Sequence, residues 1–231
     1  MRIAKFLLPS IIAVASVNMA VAQPNVAASI KPIHSLVSSV MEGVAVPLLL
    51  VEAGSPHTYS LKPSQAKYLQ EADAIFWVAH DVETFLEKPL DSIPKNTVVV
   101  ELGETEGLVE LSFREGGLFD SHGHDDHDDH DKHDDHDKHD DHDKHDDHAK
   151  NDDHGHSEHD PHFWLDPLNA KVMVREIQSQ LSSMDPVNAA RYESNAKKTE
   201  ARLDELVTEI EAELAGLQGR EFIAFHDAYQ Y

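Results

Sequence analysis

Residues 63–79, PSQAKYLQEADAIFWVA, join a helix-forming segment to a short apolar run. Proline at position 63 suits the first turn of a helix, and the residues that follow it, SQAKYLQEAD, are mostly good helix formers. The run at 74–79 (AIFWVA) shows no alternation of polar and apolar residues, which is typical of a strand buried on both faces. The stretch therefore predicts a helix followed by an interior strand of a parallel sheet.

Three further apolar runs repeat this arrangement along the first half of the chain. Helical patterns lie between them, at residues 32–41 and 83–90 in addition to the segment that starts at Pro63. Strands and helices that alternate in this way predict an α/β lobe, in which helices cover both faces of a parallel sheet. The four predicted strands are residues 26–30, 46–51, 74–79 and 97–102.

The first 22 residues have the features of a secretory signal. A short basic segment, MRIAK, precedes a mostly apolar stretch at residues 6–17, which is too short to anchor a chain in a bilayer. The small residues at 20–22 (AVA) suit cleavage before Gln23. The alternatives are an uncleaved anchor or a buried N-terminal strand. The combination favours a signal at residues 1–22 and an exported mature chain.

The chain is strongly acidic and lacks cysteine. Its net charge is −24, and the residues outside the window 121–160 are also acidic on balance. An acidic body repels nucleic acid and anionic lipid and attracts cations, so we expect no nucleic-acid partner. Without cysteine, the chain has neither a disulfide nor a thiolate ligand for a metal.

Residues 130–147 repeat one hexapeptide three times, HDKHDDHDKHDDHDKHDD. The surrounding window, 121–160, holds 13 of the 18 histidines and almost no apolar residues, and its period of three does not match a helix. We therefore predict a disordered insert in which neighbouring His and Asp capture zinc weakly. The alternative is a solvated charge run without a specific role. The histidines expected to take part are His124, His127, His130, His133, His136, His139, His142, His145 and His148.

Two helices are predicted after this insert. Asp166–Pro167 is a favourable helix start, and that helix extends to about residue 183. Asp185–Pro186 starts a second helix, rich in Glu, Lys, Ala and Leu, which extends to about residue 217 and is long enough to join two lobes. Residues 221–225 (EFIAF) then predict one further strand.

This order of elements divides the chain into four predicted parts. After the signal, residues 23–184 form an N-terminal α/β lobe, residues 185–217 a linker helix, and residues 218–231 the start of a second lobe. Because a long linker should lead to a whole second lobe, we expect that the sequence is truncated shortly after that lobe begins. The alternative is a complete one-lobe protein with a trailing helix.

Three isolated histidines occupy similar positions, each where a strand or loop leads into a helix or ends a strand. In an open parallel sheet, ligands bind at the carboxyl edge of the strands, so these imidazoles are expected to converge there. Three neutral imidazoles with a carboxylate or water as fourth ligand would suit zinc. Taken singly, each is more readily explained as an ordinary loop or core histidine, and it is the sequence around each that favours a metal site. The three are His57 in GSPHTYSLKPSQ, His162 in DPHFWLDP and His226 in FIAFHDAYQY.

These stretches, together with the Asp/His-rich insert and the long helix, resemble the ZnuA-type family, which comprises the zinc-binding lipoproteins and periplasmic proteins of ABC importers. The resemblance covers essentially the whole mature chain. It implies a two-lobed metal-receptor solute-binding fold, with two lobes of parallel four-stranded sheet joined by one long rigid helix. Metal is then expected in the cleft between the lobes, and the family's ligands fall on His57, His162 and His226.

The resemblance also implies a function. The chain is expected to be the high-affinity zinc-binding component of an ABC importer, which captures Zn2+ in the periplasm and delivers it to the membrane permease. That permease works with a cytoplasmic ATPase, and a small periplasmic zinc chaperone is a further candidate partner. The receptor is expected to act as a monomer and not as an enzyme.

Two departures from the family pattern concern the fourth ligand. Zinc members often have Glu directly before the first histidine, whereas this chain has Pro56. A fourth ligand beyond Tyr231 is not in the sequence, so water is expected to complete the site. Related manganese and iron receptors carry a carboxylate where His226 stands, and three imidazoles favour zinc over manganese, although copper and nickel would also bind.

Other residues are weaker candidates. His34 in IKPIHSL and His80 beside Asp81 are expected near the cleft edge, as surface or cap histidines. Asp166 is expected to cap a helix and is a candidate acceptor for a ligand imidazole. The two tryptophans, Trp77 and Trp164, lie in apolar runs and are expected in the core.

Two other functions remain open at the level of sequence. Three histidines and a water also form the shell of a zinc-dependent hydrolase, but the chain has no His-Glu-x-x-His motif. An exported zinc buffer, in which the histidine-rich run is the whole function, is the other alternative.

Overall fold

The computed structural model of the chain describes residues 23–114, 159–224 and 226–231. The predicted signal at 1–22 lies outside the described residues, and so do the nine histidines assigned to weak zinc capture. Among the residues that are described, no helix combines the length and the apolar character that a bilayer crossing requires.

All four predicted strands form, and they make one sheet. The strands are β1 (Val26–Ala28), β2 (Leu48–Leu49), β3 (Ala74–Trp77) and β4 (Val98–Glu101). They are parallel, in the order β2-β1-β3-β4, which confirms the predicted parallel four-stranded sheet. Backbone pairing continues past the end of β2, where the Leu50 N–H donates to the Ala28 carbonyl at 3.0 Å.

The predicted helices also form, with altered ends. The pattern at 83–90 divides into a 3₁₀ turn, Thr84–Leu86, and a short α-helix. Proline stands in the first turn of the first, second and fourth helices, where its missing N–H has no partner to lose. The helices are α1 (Lys31–Val40), α2 (Pro63–Glu71), α3 (Glu87–Asp91), α4 (Pro167–Met184) and α5 (Ala189–Leu214).

Successive strand residues point to opposite faces of the sheet, and each face packs into its own core. Val26 and Phe76 belong to the larger core, which includes buried residues of α1, α4 and α5. Ala27 and Ile75, their neighbours along the strands, belong to a second core that includes Leu69 of α2. The uninterrupted apolar runs of the sequence are explained by these two cores, and the carboxyl edge of the sheet is left for loops.

The long helix begins later than the sequence suggests. The predicted start at Asp185–Pro186 is wrong, because Asp185 ends α4: its N–H donates to the Leu181 carbonyl at 2.9 Å. The Asp185 carboxylate accepts from the Tyr192 hydroxyl, and its carbonyl accepts from the Asn188 N–H, so this acidic residue forms a turn between two helices. The helix α5 has 26 residues, or ~39 Å.

The strand predicted at 221–225 is absent from the described residues 221–224. Phe222 and Ile223 are 74% and 100% exposed there, so the apolar character that predicted a strand is not buried. A strand needs a neighbouring strand to pair its backbone groups, and none of the described strands lies beside this segment. Residues 221–224 of the predicted second lobe therefore have no regular secondary structure.

Candidate metal centre

His57 lies in a short turn beyond β2. The 3₁₀ turn Pro56–Thr58 begins with a proline, and the backbone N–H of Tyr59 closes it on the Pro56 carbonyl. The Tyr59 hydroxyl donates to the Leu50 carbonyl at 3.0 Å, which ties the turn back to the end of the sheet. The His57 side chain is itself exposed.

His162 is placed by the 3₁₀ turn Phe163–Leu165, which leads into α4. Phe163 is buried in the larger core, and its carbonyl accepts from the Asn169 side chain at 3.1 Å. His162 is only 7% exposed, and the ring of Trp164 lies with its centroid 5.1 Å away. A buried imidazole held between a core anchor and an indole has little freedom to move.

His226 lies in the segment 226–231, which packs against the loop after β4. The Leu111 N–H donates to the Tyr231 hydroxyl at 2.9 Å, and Arg114 forms an ion pair with Asp227. The third histidine thus belongs to a segment that is held to the facing loop at Asp227 and Tyr231.

The structure brings the three predicted histidines together. Their candidate ligand atoms all lie within 4.8 Å of one another, and the Nε2 atoms of His162 and His226 are 2.9 Å apart. Ring centroids of His57 lie 5.9 Å from His162 and 5.8 Å from His226. In a tetrahedral site with zinc–nitrogen bonds of about 2.0–2.1 Å, two nitrogens are about 3.3 Å apart. Small side-chain movements therefore suffice to bring all three nitrogens onto one ion.

Electrostatics favours a neutral His162. Burial lowers the pKa of its imidazole below the ordinary value, and the positive forms of His226 and His57 lower it further, against the opposing pull of Asp160. The Asp160 carboxylate lies 2.6 Å from Nδ1, and because a carboxylate accepts, Nδ1 carries the proton. Nε2 is consequently unprotonated, so its lone pair can bind a metal.

The other sequence candidates lie apart from this cluster. His34 donates from Nε2 to the Pro47 carbonyl at 3.0 Å and lines an open groove of about 700 Å³ between α1 and α5. His80 lies beside two carboxylates, 3.6 Å from Asp81 and 3.0 Å from Glu87. In the described ranges, no carboxylate joins the three histidines as a fourth ligand.

Asp160, which was not among the residues singled out from the sequence, contacts the buried histidine of the cluster. The prediction that Asp166 caps a helix is confirmed, since its Oδ1 accepts from the Leu168 N–H at 2.8 Å at the start of α4. Asp166 was also the candidate acceptor for a ligand imidazole, but the carboxylate that contacts the His162 ring is that of Asp160. Asp160 takes the role, and it also accepts from the His162 backbone N–H at 2.9 Å. An Asp side chain readily bonds the backbone two residues later, so the spacing in DPH was the available signal.

Comparison with known families and proteins gives a consistent result. The model of the family described as "Zinc-uptake complex component A periplasmic" matches residues 26–231. A relative from Brucella abortus (strain 2308), named high-affinity zinc uptake system protein ZnuA, is 52% identical over 217 residues, which are 93% of this chain and 65% of the relative. A protein of the same name from Paracoccus denitrificans is 43% identical over 209 residues, 90% of this chain and 62% of the relative. The chain thus spans slightly under two thirds of the length of these relatives.

Solved structures share the fold. The Zn(II)-bound ZnuA-like domain of AdcA from Streptococcus pneumoniae superposes with a TM-score of 0.64 at 21% identity, over 91% of this chain and 62% of that one. The metal-dependent lipoprotein YcdH from Bacillus subtilis gives 0.63 at 20% identity, over 90% and 62%. At this level of identity the similarity establishes the architecture of the lobe and the long helix.

Proposed function

This chain belongs to the ZnuA family, and on that premise we propose that it is the high-affinity zinc-binding component of an ABC importer. In this proposal it captures Zn2+ in the periplasm and delivers the ion to a membrane permease that works with a cytoplasmic ATPase. A signal at residues 1–22 would direct the export. The proposed ligands are His57, His162 and His226, with water in the fourth position.

The convergence of the three imidazoles is the observation that carries this proposal. His162 and His226 are 64 residues apart in sequence and His57 is farther still, yet their candidate ligand atoms lie within 4.8 Å. Each comes from a different turn or loop, and each turn has its own anchor in the lobe. Three histidines brought together from such distant positions support a shared ligand.

The chemistry of the donors supports zinc as that ligand. Imidazole nitrogen suits zinc, whereas manganese prefers oxygen ligands. His162 is held neutral by burial, so little free energy is spent on removing a proton before the ion binds. The Asp160 carboxylate on Nδ1 raises the basicity of the coordinating nitrogen, as carboxylates do behind histidines in many zinc sites.

The remaining parts of the chain follow from the same proposal. Residues 23–184 are the N-terminal lobe, 185–217 include the linker helix, and 218–231 begin a second lobe. The nine histidines from His124 to His148 capture zinc weakly and supply it to the site. A small periplasmic zinc chaperone is a further proposed partner, and the receptor acts as a monomer.

The ZnuA family consists of transport components rather than enzymes. A zinc-dependent hydrolase and a zinc buffer based on the histidine-rich run are still distinguishable by experiment. Hydrolysis of a model ester that depends on zinc and on the three histidines would favour the enzyme. Loss of tight binding on removal of the run alone would favour the buffer.

The central experiment measures zinc affinity by competition with a chromophoric chelator. His57→Ala, His162→Ala and His226→Ala are each expected to lower affinity by more than the roughly 10–100-fold that loss of an outer hydrogen-bond partner costs. The matched controls are His34→Ala and His80→Ala, which should leave the affinity unchanged. A further variant replaces residues 115–158 with a short Gly/Ser linker and keeps Asp160. If this variant loses the tight site while the three alanine variants retain it, the proposal is wrong.

A further inference from the structure

Asp160 is more deeply buried than any of the three histidines. It is 2% exposed, and its N–H donates to the Leu111 carbonyl at 2.8 Å, next to the antiparallel bridge between Ser112 and His159. This backbone pairing fixes the position of its side chain relative to the loop after β4. A buried carboxylate in this setting needs hydrogen-bond donors around it, and it has donors from two directions.

The first direction leads to His162. Oδ1 of Asp160 accepts from the backbone N–H of His162 at 2.9 Å and from its ring Nδ1 at 2.6 Å. These two hydrogen bonds from His162 to one oxygen fix the positions of both its backbone and its ring. They direct Nε2 toward His226, which lies 2.9 Å away.

The second direction leads to the segment that carries His226. Oδ2 of Asp160 accepts from the Gln230 side-chain amide at 2.5 Å, and its carbonyl oxygen accepts from the Tyr231 hydroxyl at 2.7 Å. The same hydroxyl accepts from the Leu111 N–H. Neither Gln230 nor Tyr231 belongs to the histidine cluster, so any effect of these residues on a metal would have to pass through Asp160 or through the position of the segment.

We propose that Asp160 is a positioning residue that couples zinc binding at His162 to docking of residues 226–231. The inference rests on the proposed function, because it assumes that zinc binds at the three histidines. One oxygen of the carboxylate orients His162 and the other holds the segment that presents His226, so the two nitrogens reach their binding positions together. Coupling between two equilibria is reciprocal, so zinc must also stabilise the docked segment.

A charge exchange between Asp160 and Gln230 tests this coupling. Gln230→Glu places a second carboxylate against Oδ2, and repulsion should undock the segment and lower zinc affinity by about 10-fold or more. Asp160→Asn keeps an acceptor oxygen for His162 and turns an amide toward position 230. In that background Gln230→Glu supplies the acceptor that the amide needs, so it should leave affinity unchanged or raise it.

The direction of these effects separates coupling from simple electrostatics. A negative charge added near a cation site should attract zinc, so a fall in affinity for Gln230→Glu alone would have to arise from undocking. Gln70→Glu, which adds the same charge on α2 where the side chain contacts Ser92, is the control and should leave zinc affinity unchanged. The coupling is refuted if Gln230→Glu changes zinc affinity by the same factor in the unaltered chain and in Asp160→Asn. It is also refuted if Gln230→Glu changes zinc affinity in neither of them.

The exchange rate of the Leu111 amide proton gives an independent readout of docking, since this N–H donates to Tyr231. Zinc should slow its exchange in the unaltered chain and in the doubly substituted chain, but not in Gln230→Glu alone. Exchange that is insensitive to zinc in the unaltered chain would refute the proposal.

If the unaltered chain does not bind zinc at all, both this inference and the proposed function are wrong. If the unaltered chain binds zinc but the effect of Gln230→Glu does not depend on Asp160→Asn, only the coupling is wrong.

Discussion

The Nε2 atoms of His162 and His226 are 2.9 Å apart, although 64 residues separate the two histidines along the chain. The Nδ1 proton of His162 is engaged by Asp160, so Nε2 of His162 accepts and Nε2 of His226 donates in this contact. A zinc ion would replace the hydrogen bond by two coordinate bonds and widen the gap to about 3.3 Å. His226 would then carry its proton on Nδ1.

This relationship leads to a prediction about metal selectivity. His226→Asp exchanges one imidazole nitrogen for carboxylate oxygen, which zinc accepts less readily than manganese does. We expect zinc affinity to fall by about 10-fold or more and manganese affinity to rise, as measured by competition titrations with both ions. His226→Asn, which is similar in size but uncharged, is the control and should weaken both metals. An unchanged ratio of zinc to manganese affinity in His226→Asp would contradict the role assigned to His226.

The close packing behind the metal centre leads to a second prediction. A Cβ on Gly103 would lie 3.1 Å from the Val78 carbonyl oxygen and 3.4 Å from the Phe163 ring, and Phe163 follows His162 directly. Gly103→Ala should therefore lower the free energy of unfolding by about 1–3 kcal/mol, because the neighbours must shift to admit the methyl group. It should also weaken zinc binding, since the shift reaches the turn that holds His162.

The control for this substitution is Gly216→Ala, where the added Cβ meets no atom within 4 Å. Thermal unfolding and zinc titration of both variants provide the measurements. Equal stability of Gly103→Ala and the unaltered chain would show that the contact around Phe163 is looser than the structure indicates.

The sequence predicted the sheet for physical reasons that are local, whereas the choice of the three histidines depended on the resemblance of the stretches around them to a known family. Strands buried on both faces must be apolar throughout, so the runs that became β1 and β3 were visible without the fold. The start of α5 was misplaced because Asp-Pro favours a helix start in isolation, whereas here the Asp185 carboxylate bonds Tyr192 and closes a turn. The contacts of Asp160 with Gln230 and Tyr231 could not be predicted, because these residues are some 70 positions away and only the folded chain brings them together.

Buried Glu83 predicts a stability that depends on pH. Its carboxylate accepts from the backbone N–H groups of Val78 and Ala79, and burial raises the pKa of Glu83 from 4.5 to about 7 despite these bonds. Because the folded state holds the proton more tightly than the unfolded state, protonated Glu83 contributes to the free energy of unfolding, and this contribution is complete below pH 4.5. It is lost as pH rises through about 7, with a total change of up to ~3 kcal/mol.

Glu83→Gln resembles the protonated form and should remove this dependence. Denaturant unfolding between pH 4.5 and 8 should show the unaltered chain losing free energy of unfolding relative to Glu83→Gln as pH rises. Glu71→Gln on the exposed surface of α2 is the control and should follow the unaltered chain. Parallel pH profiles for Glu83→Gln and the unaltered chain would mean that Glu83 is ionised in the folded protein throughout this range.

The attachment of α5 to the lobe leads to the last prediction. The buried Asn195 amide donates to the carbonyls of Val40 and Glu42 at 3.0 and 2.9 Å, which satisfies two acceptors at the end of α1. Asn195→Ala leaves both without this donor and should lower the free energy of unfolding by about 1–3 kcal/mol. The exposed ion pair between Arg175 and Glu200 also links α4 to α5, but Arg175→Ala should cost less than about 1 kcal/mol because water screens the pair. Chemical denaturation of the two variants tests this order. The reverse order would mean that surface charge, and not the buried amide, fixes the long helix to the sheet lobe and hence to the loops that carry the histidines.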